Sequence, residues 1–365
     1  MPERTGCWAA VVWRNDGFEA ALVDEHGALV DRMTFDRSGP EAIADRVQAW
    51  SRDRSESLTC VFESSNGMID GHLLARGIEA WRVEYDALPN PQHDALVLAK
   101  LVSFGLLRAL PTSLSSGTLG DRSAELKATN ESARGIQDDL ERAGRLLQRG
   151  RALDLEHPRI ALTFDDGPSA DHTDAIMDVL EAYQAPATFF CVGLNVLAYP
   201  HIIRRMHDRG YGIGNHTWSH AYLPELRVAE VRQQLHRTNQ ALFDVTGSIP
   251  AMARPPYGGR DAVVLNTIAG EGMTTVLWDV EAADWILPGS EAIVGSVLSA
   301  AGDGSVVLLH DGGGDRGQTV AALPAILDGL LRGGFRFVDL SDLMHDHAVA
   351  GSSAGPELQK GGRER

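Results

Sequence analysis

The chain has 365 residues, more than one hydrophobic core usually serves, which implies two domains or one large barrel with an appendage. Its 33 basic and 50 acidic residues leave a formal charge of -17, a balance that disfavours a protein gripping nucleic acid or an anionic membrane through phosphates. Cys7, Cys60 and Cys191 are far apart in sequence and read as buried free thiols, not as a disulfide framework or a cysteine zinc site. No run approaches the roughly 20 apolar residues that span a bilayer, and Arg14 and Asp16 interrupt the first apolar run before a signal-type segment is complete. The expectation is a soluble, cytoplasmic protein.

From about residue 8 to residue 35, apolar runs alternate with turn signals: CWAAVVW, Asn15-Asp16-Gly17, FEAALV, Asp24-Glu25-His26-Gly27 and ALVDRMTF. That pattern predicts a three-stranded antiparallel meander. After Ser38-Gly39-Pro40 come a helix-period segment (EAIADRVQAW), a buried strand (LTCVFES), a helical MIDGHLLARG closed by Gly77, and a strand IEAWRVEY. Meander, helix, strand, helix, strand is the order of an RNase H-like domain. ALVLAKLVSFGLLRAL reads as one further apolar helix. Residues 111 to 123 are rich in Ser, Gly and Pro and read as a linker, followed by a helix of about 25 residues from Ala124.

Beyond Arg159 the texture changes to short β-rich runs separated by helical stretches: RIALTF, ATFFCVG, GYGIGN, AMARPPY, TTVLWDV, SVVLLH and FRFVDL. Strands alternating with helices argue for a parallel sheet, and these seven could close into a barrel. The fold class is therefore α/β: a smaller RNase H-like domain (1–110), a linker and connecting helix (111–157), a distorted seven-stranded (β/α) barrel (158–345), and a polar, Gly-rich tail (346–365) read as disordered.

The strand ends carry the unusual residues, as in a barrel whose active site is built on its C-terminal face. The first run leads into Thr163-Phe164-Asp165-Asp166-Gly167-Pro168, where adjacent carboxylates repel unless a cation is present. Standing alone, Asp-Asp-Gly-Pro is often only a turn. The third leads into Asn215-His216-Thr217-Trp218-Ser219-His220. Histidines at i and i+4 share a helical face and can hold one metal ion with a carboxylate and an open water position; the plainer alternative is a surface or capping pair. Thr217 stands where a metalloprotease HExxH carries its glutamate, so a general base must come from elsewhere. Asp165 and Asp166 offer one carboxylate to ligate and one to take a proton. In Arg254-Pro255-Pro256-Tyr257-Gly258 the prolines fix an extended turn, Arg254 can pair with a carboxylate, and the Tyr257 N–H can serve as an oxyanion donor. Two more clusters follow, Trp278-Asp279-Val280-Glu281-Ala282-Ala283-Asp284-Trp285 and Leu308-Leu309-His310-Asp311-Gly312.

In this order and spacing the five clusters resemble the NodB-homology polysaccharide deacetylases, carbohydrate esterase family 4, from residue 159 to about 345. TFDDGP, HTWSH, RPPYG and LLHDGGGDRGQT carry the resemblance most strongly. It implies a distorted β/α barrel that hydrolyses the N-acetyl group of a sugar with one divalent metal, zinc by default, with cobalt or nickel compatible. By matched position, Asp165 is implied as catalytic base, Asp166, His216 and His220 as metal ligands, and His310 as general acid. Arg254 is implied to orient Asp165, Asp284 to partner His310, and Trp285 and Leu308 to wall the pocket for the acetyl methyl group. One departure is Glu281, where the fourth motif commonly has an aspartate; it bears on substrate detail.

The first half resembles, weakly, the RNase H-like catalytic domain of DEDD-type insertion-sequence transposases, through VFESSNG around Glu63 and HDALVLAKLVSFG around Asp94. Such an enzyme needs an acidic residue on its first strand, where this chain has only apolar ones. Residues 1–110 also carry 11 basic and 17 acidic side chains, so a degenerate accessory domain is the favoured reading. The alternatives to a deacetylase are a nucleic-acid-binding protein acting through the first half, an inert carbohydrate-binding scaffold, and an amidase of the same fold acting on a small non-sugar amide. No element of the five-part site is missing, which disfavours the inert scaffold. The expected partner is an acetylated sugar, with neither membrane nor nucleic acid.

Overall fold

Asp24 Oδ1 accepts the N–H groups of His26 (2.9 Å) and Ala28 (2.8 Å), and Gly27 supplies the positive φ (75°) that this turn needs. The turn joins β2 (Gly17–Val23) to β3 (Leu29–Asp36), and β1 (Cys7–Arg14) completes the antiparallel meander. The computed structural model describes residues 6–345 except 15–16, 37–39, 53–57, 63–72, 74–75, 77, 84–94, 105, 107–108, 112–118, 153–156 and 171. The MIDGHLLARG helix, residues 112–118 of the expected linker, the 346–365 tail, Glu63 and Asp94 thus lie wholly or largely outside the described residues; the rest of the 111–123 segment is not a linker, since Pro111 ends a strand and 119–123 open a helix.

Strands β4 (Leu58–Phe62) and β5 (Glu79–Val83) extend the sheet in parallel from β1, and β6 (Ala109–Pro111) closes it antiparallel, giving the order β3-β2-β1-β4-β5-β6. Strand β1 is central, so alternate residues enter two cores. Cys7, Ala9 and Val11 face helix α1 (Pro40–Arg52), while Trp8, Ala10 and Val12 face helix α2 (Ala95–Ser103). The expected single helix ALVLAKLVSFGLLRAL is therefore corrected: it stops at Ser103, and its last residues enter β6, where edge pairing with β5 satisfies backbone groups that a helix would otherwise bond. This N-terminal unit is a mixed α/β sheet domain.

All seven runs expected in the second half contain strands, but the closed seven-stranded barrel is not what they form. The described strands make an open parallel path, β13-β14-β8-β9-β10-β11-β12-β7, with a ninth strand, β15 (Arg336–Phe337), beside the start of β8. In chain order these are β7 (Leu146–Leu147), β8 (Arg159–Asp165), β9 (Ala187–Cys191), β10 (Gly212–Asn215), β11 (Met252–Ala253), β12 (Thr274–Val276), β13 (Val280–Glu281) and β14 (Ser305–His310). The run TTVLWDV does not continue as one strand. Its first part pairs with β7 at one sheet edge and the chain then crosses to the other: Leu277 N donates to Leu147 O (2.7 Å), Asp279 N to Val306 O (3.2 Å). The result is a half-barrel in which the buried strands β14 and β8 lie side by side, one strand in from the β13 edge.

The connecting segment is also corrected. It is not one helix but two, α3 (Leu119–Ser132) and α4 (Arg134–Arg142), broken at Ala133, which is fully buried against Leu146, Leu265 and Leu277. Burial of that alanine seats α4 on the second sheet, and β7 belongs to it outright. Arg260 completes the clamp: its N–H donates to Asn130 Oδ1 (3.0 Å), Nε to Gln137 Oε1 (3.0 Å) and Nη1 to Gly258 O (2.8 Å). The connector thereby supports the RPPYG turn. Arg260→Ala is expected to lower stability by about 1–3 kcal/mol, because the amide and carbonyl it serves lose their partner; urea unfolding checks this, and an unchanged midpoint would show the clamp to be idle.

Candidate active site

The C-terminal ends of β8, β10, β11 and β14 bring the sequence clusters together. Asp165 ends β8, fully in the interior, and its Oδ1 accepts Arg254 Nη1 at 2.7 Å. Arg254 has no exposed surface; it also donates Nη1 to Thr163 Oγ1 (2.8 Å), Nε to Val276 O (3.2 Å) and Nη2 to Leu277 O (3.0 Å). Its guanidinium lies 4.2 Å from the Phe190 ring centroid. Burial lowers its pKa despite the opposing charge of Asp165. The orienting partnership expected from sequence is thus a saturated, buried ion pair.

One residue on, Asp166 turns away with φ 77°, and its backbone O accepts Asn195 Nδ2 (2.8 Å). Its Oδ1 is buried without a hydrogen-bond partner among the described residues, yet lies 3.3 Å from His216 Nε2 and 3.0 Å from His220 Nε2. The three donor atoms all fall within 4.8 Å of one another. His216 Nδ1 bonds Arg254 O (2.7 Å) and His220 Nδ1 meets the Tyr257 hydroxyl (3.1 Å), so both rings turn Nε2 toward the carboxylate. Such outer partners fix the tautomer of a metal-binding imidazole. Two imidazoles and an orphaned carboxylate oxygen fit one divalent ion with an open position. Burial alone would raise the Asp166 carboxyl, but facing His220 and His216 hold it well below the usual carboxylate range. Burial likewise would lower His216, and Asp165 and Asp166 outweigh it and raise it.

The histidines do not share a helical face, which corrects that expectation. His216–His220 is a loop, with positive φ at Thr217 (67°) and His220 (55°). Asp166 and Tyr257 (61°) add two more such residues, each costing about 1–3 kcal/mol and held only because the surroundings over-determine it. Here Asn215 Oδ1 accepts Thr217 N (2.7 Å), and Gln234 Oε1 accepts Trp218 N and Ser219 N (both 2.9 Å).

On the other flank, His310 ends β14 beside Asp165. Its Nδ1 bonds Asp284 Oδ1 (2.7 Å), and Asp284 Oδ2 accepts His310 N (2.9 Å) and Thr319 Oγ1 (2.8 Å). Burial would depress the imidazole, but Asp284 prevails and pushes it up to about 9, while the same pairing lowers Asp284. Leu308 is buried on β14 between Thr163 and Glu281 in register, whereas Trp285 is half exposed, its Nε1 donating to Glu281 Oε1 (3.4 Å).

Asp311 stands in the fifth cluster, where the sequence assigns it no role. It is buried; its Oδ1 accepts Gly167 N (3.1 Å) and Oδ2 accepts Thr173 Oγ1 (2.7 Å), which anchors the turn that presents Asp166. Burial, with Asp166 and Asp165 nearby, pushes its carboxyl up to about 7 against those bonds. The signal was its adjacency to His310, but nothing local distinguishes an anchor from a turn aspartate. Gln234, Asn215 and the Tyr257 hydroxyl were passed over for the same reason.

The polysaccharide deacetylase family model matches residues 153–276. A peptidoglycan-N-acetylglucosamine deacetylase of Bacillus cereus is 40% identical over 187 residues, covering 51% of this chain and 87% of the relative. A chitooligosaccharide deacetylase of Bradyrhizobium is 38% identical over 196 residues, covering 50% and 90%. A solved peptidoglycan N-acetylglucosamine deacetylase, in complex with 4-naphthalen-1-yl-N-oxidanyl-benzamide, superposes with a TM-score of 0.52 at 34% identity, over 55% of this chain and 92% of that one. Sequence identity across nearly the whole of such relatives, together with an Asp-His-His cluster at the strand ends, means that this chain belongs to the polysaccharide deacetylase family.

Proposed function

We propose that this protein removes the acetyl group from N-acetylglucosamine units of peptidoglycan or chitooligosaccharide, releasing acetate and a free amine, with zinc held by Asp166, His216 and His220. The observation that carries this reading is the convergence of those three donor atoms within 4.8 Å, flanked by Asp165 and His310. A divalent ion there would polarise the amide carbonyl and acidify a water. Asp165, oriented by Arg254, takes a proton from the attacking water, the Tyr257 N–H donates to the developing oxyanion, and His310 gives its proton to the departing amine as the C–N bond breaks. Trp285 and Leu308 line the acetyl pocket. The test is acetate release from chitooligosaccharides and peptidoglycan fragments of graded length, expected to stop on chelation and return with zinc or cobalt. Release that persists after verified metal removal sinks the metal-dependent reading; release only from a small non-sugar amide favours the amidase alternative.

The His310 pair sets the alkaline limit. An imidazole raised to about 9 is protonated below that pH and loses its proton above it, so kcat should fall as pH rises through about 9. The stability contributed by the Asp284 pairing is present in full below the unfolded imidazole value of about 6.5 and is lost through the same interval. His310→Ala should abolish the limb in a rate profile recorded with metal intact; an unchanged limb assigns the acid elsewhere.

For the first domain we favour an RNase H-like accessory unit. The support is its strand order, an antiparallel β3-β2-β1 meander continued in parallel by β4 and β5. β1 carries no carboxylate, so the transposase resemblance is given no catalytic meaning.

A further inference from the structure

The His216–His220 loop has no regular structure of its own, and its shape is imposed from outside. At the start of helix α5 (Gly193–Ala198), Gly193 N and Leu194 N donate to Thr217 O and Trp218 O, both at 3.0 Å. The Trp218 ring is 6% exposed and presses on Gly193, where an added Cβ would come within 2.4 Å of it. The Arg237 guanidinium covers the ring at 4.8 Å.

Trp218, Val192 and Leu194 lie outside the main core of the deacetylase sheet. They belong to the buried cluster built by Ala9 and Val11 of β1, Trp50 of α1 and Phe62 of β4. On the opposite face of the N-terminal sheet, the buried apolar cluster that includes Leu98 of α2 draws, among the described residues, on this domain alone. One face of the N-terminal domain is thus continuous with the loop that carries both imidazoles, and the other is not.

We propose that the N-terminal domain is a scaffold for the metal site, acting through Trp218 as a positioning residue. A loop with left-handed Thr217 and His220 holds its ligands in register only if its surroundings leave it no alternative. The shared core supplies that constraint. This inference rests on reading Asp166, His216 and His220 as metal ligands, but loop order can be measured without metal.

The test uses the full-length protein. Phe62→Ala opens the shared face, Leu98→Ala opens the opposite face of the same domain, and Trp218→Ala removes the link itself. Zinc affinity by competition titration, the visible spectrum of the cobalt-loaded protein, and hydrogen exchange at the Trp218 and Ser219 amides are the readouts. Phe62→Ala and Trp218→Ala should weaken zinc binding about 10–100-fold, the range typical of outer-shell losses, alter the cobalt spectrum and speed exchange at both amides. Leu98→Ala should leave zinc affinity within about twofold. Trp218→Phe keeps an aromatic ring beside Gly193 and under Arg237 while giving up part of the indole and an N–H that has no partner among the described residues, so its zinc affinity should lie between those of the wild type and Trp218→Ala. Phe62→Leu replaces Phe62→Ala if the latter does not fold. Equal effects from the Phe62 and Leu98 variants, or no effect of either Phe62 variant, would overturn the proposal. A wild-type chain that binds neither zinc nor cobalt defeats the metal reading instead, and amide exchange then decides the coupling alone.

Discussion

Asp165→Asn is expected to lower kcat about 10²–10⁴-fold while zinc stoichiometry stays near that of the wild type. The asparagine keeps the size of the side chain and an oxygen for Arg254 Nη1, but it cannot accept a proton. Asp165 Oδ2 stands 3.6 Å from His216 Nε2, farther than either imidazole stands from Asp166 Oδ1, which is why the base and the ligand can be told apart. The variant should also be less stable. Arg254 is fully buried with Asp165 as its counter-charge, and removing one partner of a buried pair costs up to about 3–5 kcal/mol. Kinetics, metal analysis and urea unfolding on one preparation separate these effects. Zinc lost in proportion to activity would mean that the two aspartates have been assigned the wrong way round.

Removing a ligand should act differently. Asp166→Ala, His216→Ala and His220→Ala each leave two donors of three, and zinc affinity should fall more than about 100-fold, beyond what outer partners contribute. Activity should fall with it. Tyr257→Phe offers a graded comparison, since it deletes only the hydroxyl that meets His220 Nδ1 at 3.1 Å. Its loss should lie within the 10–100-fold range of an outer partner, and added zinc should recover the rate. Isothermal titration with zinc, paired with acetate release at saturating metal, checks both. If His220→Ala kept wild-type zinc affinity, the ligand set proposed for this site would be wrong.

How much of this was legible beforehand depended on range along the chain. The β1–β3 meander follows from alternation and from Asp24-Glu25-His26-Gly27, where side chain and turn backbone are only two to four residues apart. The seven β-rich runs were legible for the same reason, each being a local pattern. Helical spacing of His216 and His220 was misleading because hydrogen bonds from α5 and Gln234 override the local preference. ALVLAKLVSFGLLRAL has a helical pattern throughout, but edge pairing with β5, some thirty residues away, outcompetes a helical continuation.

Residue type and spacing already point to Asp165, Asp166, His216, His220 and Arg254 as groups able to do the chemistry, and the resemblance to the deacetylases adds Asp284 and His310. Tertiary structure decided what each of them touches. Asp165 and Asp166 are chemically identical neighbours, and only the Arg254 guanidinium on one and two Nε2 atoms on the other distinguish them. The open path of the second sheet, the anchoring contacts of Asp311 and the shared core beneath Trp218 were likewise decided at long range. Each depends on groups brought together from more than a hundred residues apart, and neither periodicity nor motif spacing records which distant surface a side chain will meet.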